Sequence, residues 1–220
     1  MAAGKNSSQL GSGAKTQPGQ LRKGPMREER FDQSYYRRYY EAPQSRIAEP
    51  DYFERVSSFV ASYLDMLDCR VSSVLDAGCG LGLLHAGLRR AWPRVRIDAF
   101  DGSEYACQRS GGELATFDTF RRERRYDLVL CHDVLQYLDR AEAARAMECL
   151  TSWTKKALYF SVLTTEDWEE NCDQHRTDGD VHLRAASWYR ERLFEAFINI
   201  GGGLYVRRSA GLVVYALESC

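Results

Sequence analysis

The stretch VLDAGCGLGLL, residues 74–84, constrains this chain more than any other part of it. The apolar run from Val71 to Leu75 reads as a buried strand. Asp76 follows, and then Gly78, Gly80 and Gly82 alternate with other residues. Beyond them Leu83, Leu84, Leu88 and Trp92 recur near helical spacing, which predicts a helix. A strand, a glycine turn and a helix in succession form the cradle that α/β proteins offer to a nucleotide-like ligand. Glycine lets the backbone approach the ligand closely and adopt positive φ. The ligand then sits outside the carboxyl end of the strand.

The spacing narrows the choice of ligand. A dinucleotide turn reads G-x-G-x-x-G, whereas the glycines here run G-C-G-L-G with an acidic residue two places before the first. Asp76-Ala77-Gly78-Cys79-Gly80-Leu81-Gly82 resembles, without a gap, motif I (D/E-x-G-x-G-x-G) of the class I S-adenosylmethionine-dependent methyltransferases. A second stretch, YDLVLCHDVLQYL at 126–138, resembles motif IV of the same family. There Asp127 precedes a buried strand, Leu128 to Cys131, and His132 and Asp133 leave it at its carboxyl end. Two such landmarks in order, with an acidic strand end between them, are far more specific than either alone.

Composition sets the frame. With 220 residues, 44% hydrophobic and 28% charged, the chain is globular in character and long enough for one sizeable core. A net charge of −1 gives no field that would draw it to nucleic acid, so a nucleic-acid partner is not expected. No apolar run approaches a membrane span and no signal peptide is visible. The seven cysteines are scattered without a C-x-x-C pair, which predicts reduced thiols and a cytoplasmic location.

Residues 1–28 are rich in Gly, Ser, Gln and Lys and nearly free of apolar side chains, so a disordered tail is expected there, with the domain spanning 29–220. FDQSYYRRYYEAPQSR, residues 31–46, is dense in Tyr and Arg. It reads either as a docking helix or, over 29–49, as a lid that turns Tyr36 and Tyr40 toward the site. Pro50 and Asp51 open a helix whose apolar stripe is Phe53, Val56, Val60, Leu64 and Leu67. Val95 to Phe100 alternates as a second strand that ends at Asp101, Gly102 and Ser103. ELATF, 113–117, is a short third strand closed by Asp118 and Thr119, with RRERR at 121–125 a solvated turn. Asp139 caps a helix with Ala143, Met147 and Leu150 on its apolar face, and Ala157 to Leu163 is a fifth strand. The polar segment 164–184 is long enough for a loop with a role of its own. Ala185 to Ile198 reads as a helix with Trp188, Leu193, Phe194 and Phe197 inward, stopped by Gly201 to Gly203. Leu204 to Val206 and Leu212 to Leu217 then read as a closing hairpin.

The resemblance implies a Rossmann-like, seven-stranded, mostly parallel sheet with helices on both faces and an antiparallel C-terminal hairpin. It implies S-adenosylmethionine as cofactor and methyl transfer to an O or N atom of a small molecule or peptide. The alternative is a cofactor-binding scaffold or regulatory protein without turnover. Under the resemblance Asp76, Gly78, Cys79, Gly80 and Gly82 hold the methionine part, and Asp101, Gly102 and Ser103 meet the ribose; Asp101 is otherwise a helix cap. Asp118 and Thr119 meet the adenine, and Cys131 lies near the cofactor. His132 is the candidate general base or else packs on the cofactor, while Tyr36 and Tyr40 complete the catalytic set. Trp168 and His175 are the candidate acceptor contacts. No metal is expected, because Trp168, Asp173, His175 and His182 show no ligand spacing.

Overall fold

The computed structural model describes residues 30–49 and 51–215. The expected tail, Pro50 as helix opener, and the last part of the expected final strand lie outside these residues. A short helix α1 (Gln33–Tyr36) runs into a π-helical turn (Arg37–Glu41), and α2 (Tyr52–Met66) follows. The sheet is then laid down as β1 (Ser73–Ala77), α3 (His85–Ala91), β2 (Arg96–Asp101), α4 (Glu104–Ser110), β3 (Glu113–Leu114) and β4 (Tyr126–His132). Next come α5 (Arg140–Trp153), β5 (Thr154–Ser161), α6 (Thr165–Glu170), α7 (Ala186–Phe194), β6 (Phe197–Gly201) and β7 (Leu204–Arg207). The strand order is β3-β2-β1-β4-β5-β7-β6. β1 pairs in parallel with β2 and β4, whereas β7 pairs antiparallel with both β5 and β6. The order reverses between β1 and β4, and the crevice at that switch point is where a doubly wound sheet receives its ligand.

Alternation along the strands divides the core in two. Leu75, Ala77, Val129, Cys131, Leu158 and Phe160 face α5 and α7. Val74, Leu128, Leu130, Ala157 and Leu204 face the α2 stripe of Val60, Leu64 and Leu67, together with Leu84 and Leu88. β4 is buried on both faces, which is why its sequence is an unbroken apolar run from Leu128 to Cys131. α5 begins as expected at Asp139, whose side chain accepts from the N–H of Glu142 while Glu142 bonds back in a capping box. Among the described residues no helix is long and apolar enough to cross a membrane.

Three expectations shift. The paired part of the third strand is only Glu113–Leu114. The Thr119 hydroxyl accepts the N–H of Thr116 at 2.8 Å, which bends the chain out of the sheet and turns Ala115 and Phe117 inward. The helix expected through Ile198 ends at Phe194, and Phe194 is 62% exposed, not inward. Phe197 instead opens β6, whose β-branched Ile198 and Ile200 favour the strand; Gly202 and Gly203 then form the tight turn into β7. The hairpin is therefore β6–β7, and residues 211–215 form no strand. The Arg run is exposed, as expected of a solvated turn, and two of its guanidinium groups find carboxylate partners. Arg122 pairs with Glu113 at 2.6 Å, and Arg124 pairs with Asp98 beneath Tyr126.

Candidate active site

The glycine turn has the backbone its sequence requires. Gly78 and Gly80 have φ of +78° and +51°. At Gly78 a Cβ would stand 2.6 Å from a methyl of Val134, so the turn lies against the segment after β4. At Gly80 the nearest atom to such a Cβ is a carbon of the Tyr36 ring at 3.7 Å, so that site opens toward a cavity and is covered by α1. Asp76 is buried inside the turn, with Oδ2 2.9 Å from Nε2 of His85, itself buried at the start of α3. Gly82 packs on the same imidazole. Cys79 is buried, its Sγ 3.4 Å from the Ser110 hydroxyl, and burial pushes its thiol up.

Asp101 ends β2 beside this turn. Its Oδ2 accepts from the N–H of Gly80 at 2.9 Å and its Oδ1 from the N–H of Ser103 at 2.8 Å. Burial raises its carboxyl pKa, and those backbone hydrogen bonds oppose the rise. Gly102 lines the cavity beside it. Ser103 is fully buried: its hydroxyl caps α4 by accepting from the N–H of Ala106 and donates to the carbonyl of Phe31 at 2.5 Å. It thereby ties the N-terminal segment to the sheet edge.

Two cavities meet at the switch point. The smaller, about 110 Å³, is lined by Gly78, Gly80, Asp101, Tyr36, Val134 and the Ala115–Phe117 turn. The larger, about 580 Å³, lies between the N-terminal segment, α2 and the 164–184 segment. Tyr35, Tyr40, His132, Asp133 and Tyr137 line both and form the wall between them. His132 stacks on Tyr159, with Nε2 3.3 Å from the Tyr52 hydroxyl and Nδ1 3.5 Å from Asp133. Asp133 has φ of 55°, a left-handed conformation that Asp tolerates better than most residues. It is locked by Ser161, whose carbonyl accepts its N–H and whose hydroxyl donates to Oδ1, both at 2.8 Å. The hydroxyls of Tyr35 and Tyr137 lie 2.9 Å apart, and burial raises both.

The N-terminal segment is clasped to the far side of the larger cavity. Arg30 pairs with Asp178 at 3.0 Å and with Asp180 at 3.1 Å, and its guanidinium lies over Phe31 and Tyr137. In the 164–184 segment Asp167, Cys172, Asp173, Arg176 and Asp178 line the cavity.

Several residues singled out from sequence stand elsewhere. Asp118 is held outside by Arg145 in a two-pronged pair at 2.9 and 3.0 Å, and Thr119 is spent on its own turn. Ala115, Thr116 and Phe117 occupy the cavity edge in their place, two to three residues earlier. Cys131 points into the core between β4 and α5. Trp168 packs 3.2 Å from the Cβ position of Gly179 and so props the loop, and His175 is exposed. Neither lines the larger cavity. Tyr137, Tyr52 and Phe31 were missed. The first was legible as a lone Tyr in the apolar run after β4; the other two carry no local signal. No group of three or more His, Cys, Asp or Glu that could hold a metal occurs among the described residues.

A family model described as a methyltransferase domain matches residues 38–203. Among curated proteins none matches. Many solved structures share the fold, and three illustrate it. The plantazolicin methyltransferase BpumL, in complex with SAH, has a TM-score of 0.53 at 16% identity over 65% of this chain. The match spans 62% of BpumL, so this chain corresponds to less than two thirds of that protein. DesVI of Streptomyces venezuelae has a TM-score of 0.53 at 16% identity, over 72% of this chain and 92% of its own. The magnesium protoporphyrin IX methyltransferase ChlM of Synechocystis PCC 6803, with bound SAM, has 0.52 at 16%, over 84% and 96%. With the family model covering well over half of the sequence, the glycine turn at β1 and this strand order, the chain belongs to the class I S-adenosylmethionine-dependent methyltransferases.

Proposed function

We propose that this chain transfers a methyl group from S-adenosylmethionine to an O or N atom of a small molecule or peptide. The observation that carries the reading is the wall of Tyr35, Tyr40, His132, Asp133 and Tyr137 shared by the two cavities. A methyl donor on one side and an acceptor on the other would face each other across it.

The residues present fit the cofactor. The open Cβ position at Gly80 leaves room for backbone approach to its methionine part. Asp101 is a half-buried carboxylate at the cavity edge with lone pairs left over for ribose hydroxyls. The Ala115–Phe117 turn supplies an apolar slot for the base. When bound, the sulfonium supplies an electrophilic methyl. The protein's share is alignment and exclusion of water. Segment 29–49, within one domain beginning near residue 29, acts as the cover: Tyr36 closes over Gly80, and Arg30 fastens the segment to Asp178. His132, its Nε2 3.3 Å from the Tyr52 hydroxyl, stands where a proton would leave the acceptor and can take it up on the way to solvent. The cytoplasm is the location we favour, on the support of scattered thiols that are unpaired among the described residues.

The test is calorimetry with S-adenosylhomocysteine, followed by labelled S-adenosylmethionine with metabolite and peptide libraries. Binding with label transfer supports the reading. Binding without transfer to any acceptor makes the protein a scaffold, and absence of binding removes the reading altogether.

A further inference from the structure

The lining of the larger cavity is chemically one-sided. Tyr35, Tyr39, Tyr40, Tyr52 and Tyr137 present rings to it. Five carboxylates, Glu49, Asp133, Asp167, Asp173 and Asp178, stand against two guanidinium groups, Arg55 and Arg176. Arg55 is already paired with Asp51 at 2.5 Å, Glu49 with Arg46 at 2.5 Å and Asp178 with Arg30 at 3.0 Å, which leaves Asp133, Asp167 and Asp173 facing Arg176. Asp167 accepts only from neutral Thr164 and Asn171. The wall toward the cofactor cavity holds the most informative of these groups. Asp133 is fixed there by Ser161, and among the described residues its ionic neighbour is His132 alone. Burial raises the hydroxyls of Tyr40, Tyr52 and Tyr137, and the Asp133 charge adds to the rise in each, so the rings stay neutral and feel its field.

A fixed carboxylate without a cation, ringed by neutral tyrosines, is the environment that attracts a desolvated cation. We propose that the methyl acceptor is an amine, held as its ammonium by Asp133 and the tyrosine faces. The inference rests on the larger cavity being the acceptor side of the methyltransferase site. One ammonium proton passes to His132, whose ring lies between Asp133 and Tyr52, and from there to solvent. The freed nitrogen lone pair forms the new N–C bond while the bond from methyl to sulfur breaks. Its electron pair stays on sulfur, and the positive charge moves from sulfur to nitrogen. A carboxylate acceptor would face Asp133, Asp167 and Asp173, with Arg176 as its anchor.

The test uses the full chain, with and without S-adenosylhomocysteine, and three probes of one shape: phenethylamine, 2-phenylethanol and phenylacetate. Calorimetry should show the amine binding about tenfold or more tighter than the alcohol, and phenylacetate weakest. Asp133→Asn, which keeps the shape and tolerates the left-handed backbone, should bring the amine down to the level of the alcohol. Equal affinity for amine and alcohol, preference for phenylacetate, no measurable amine binding, or a preference that survives Asp133→Asn would each overturn the proposal. Binding of S-adenosylhomocysteine is read in the same titrations. Its failure would strike the methyltransferase reading, while the amine preference of the free protein would still be judged by the same outcomes.

Discussion

The two cavities are built on opposite plans. On its sheet side the smaller is a backbone structure: the turn after β1, the end of β2 and the turn after β3 supply it, and its shape there depends on what glycine lacks. The larger is a side-chain structure, assembled from α1, the π turn, α2, the end of β4 and the 164–184 segment. The first is anchored in the sheet, where buried groups satisfy one another. The second is fastened by an ion-pair clasp whose Asp180 is largely exposed. A rigid, sheet-anchored cavity and one closed by movable side chains thus stand back to back.

That contrast can be broken from either side. The largest effect is expected at His85. Replacing it with Ala leaves Asp76 buried without its partner and should cost about 3–5 kcal/mol, read as a lowered midpoint in denaturant unfolding. An unfolding midpoint close to the parent's would show that the cradle does not depend on the pair. Next come two glycines only two residues apart. Gly78→Val forces a side chain into Val134 at positive φ and should cost about 2–5 kcal/mol, summing left-handed strain and overpacking. Gly80→Val meets only an ordinary contact with the Tyr36 ring and should cost about 1–2 kcal/mol of stability while removing S-adenosylhomocysteine binding in calorimetry. If the two variants unfold alike and bind alike, the distinction between a packed and a ligand-facing glycine fails.

A control lies at the other end of the sheet. Asp127 is buried at the start of β4, which opposes its charge. Hydrogen bonds from the Ser72 hydroxyl and N–H, and Lys156, nevertheless hold its pKa at about 2, below the ordinary 3.8. A depressed carboxyl stabilises the fold above its unfolded pKa, and that contribution is lost as pH falls from about 4 toward 2. It amounts to about 2 kcal/mol. Asp127→Asn should flatten the acid limb of a stability–pH curve while leaving cofactor affinity at neutral pH intact. The smallest effect belongs to the clasp. Arg30→Ala should cost about 1 kcal/mol or less, yet speed hydrogen exchange in residues 31–46. Unchanged exchange would make that segment a packed helix rather than a cover.

The same contrast decides what was legible in the sequence. A turn that needs positive φ and close approach leaves glycines at fixed spacing, so 76–82 and the end of β2 could be read directly. Asp101 was readable because strand ends beside such turns are few. The short elements were not. β6 is flanked by glycines and preceded by a helical pattern, so its Phe197 passed for the helix's last inward residue. Asp118 and Thr119 lie two to three residues past the turn that lines the smaller cavity, because the Thr116–Thr119 bond, not the strand pattern, sets where the chain bends. The larger cavity had no local signature at all. Tyr52 and Asp133 are 81 positions apart, and only the sheet topology brings both to one cavity. Trp168 and His175 drew notice by residue type, but the loop turns one under Gly179 and the other outward.

The π turn has a kinetic corollary. Its wide ring, closed by the N–H of Ala42 on the carbonyl of Arg37, brings two adjacent tyrosine pairs inward, Tyr35 with Tyr39 and Tyr36 with Tyr40. Tyr36 belongs to the smaller cavity alone, Tyr39 to the larger alone, and Tyr35 and Tyr40 to both. One short segment therefore shutters two compartments at once. Under the proposed reading, a swing of this segment that admits a molecule to one would unroof the other, so entry of the two reactants would be a single gated event rather than two independent ones.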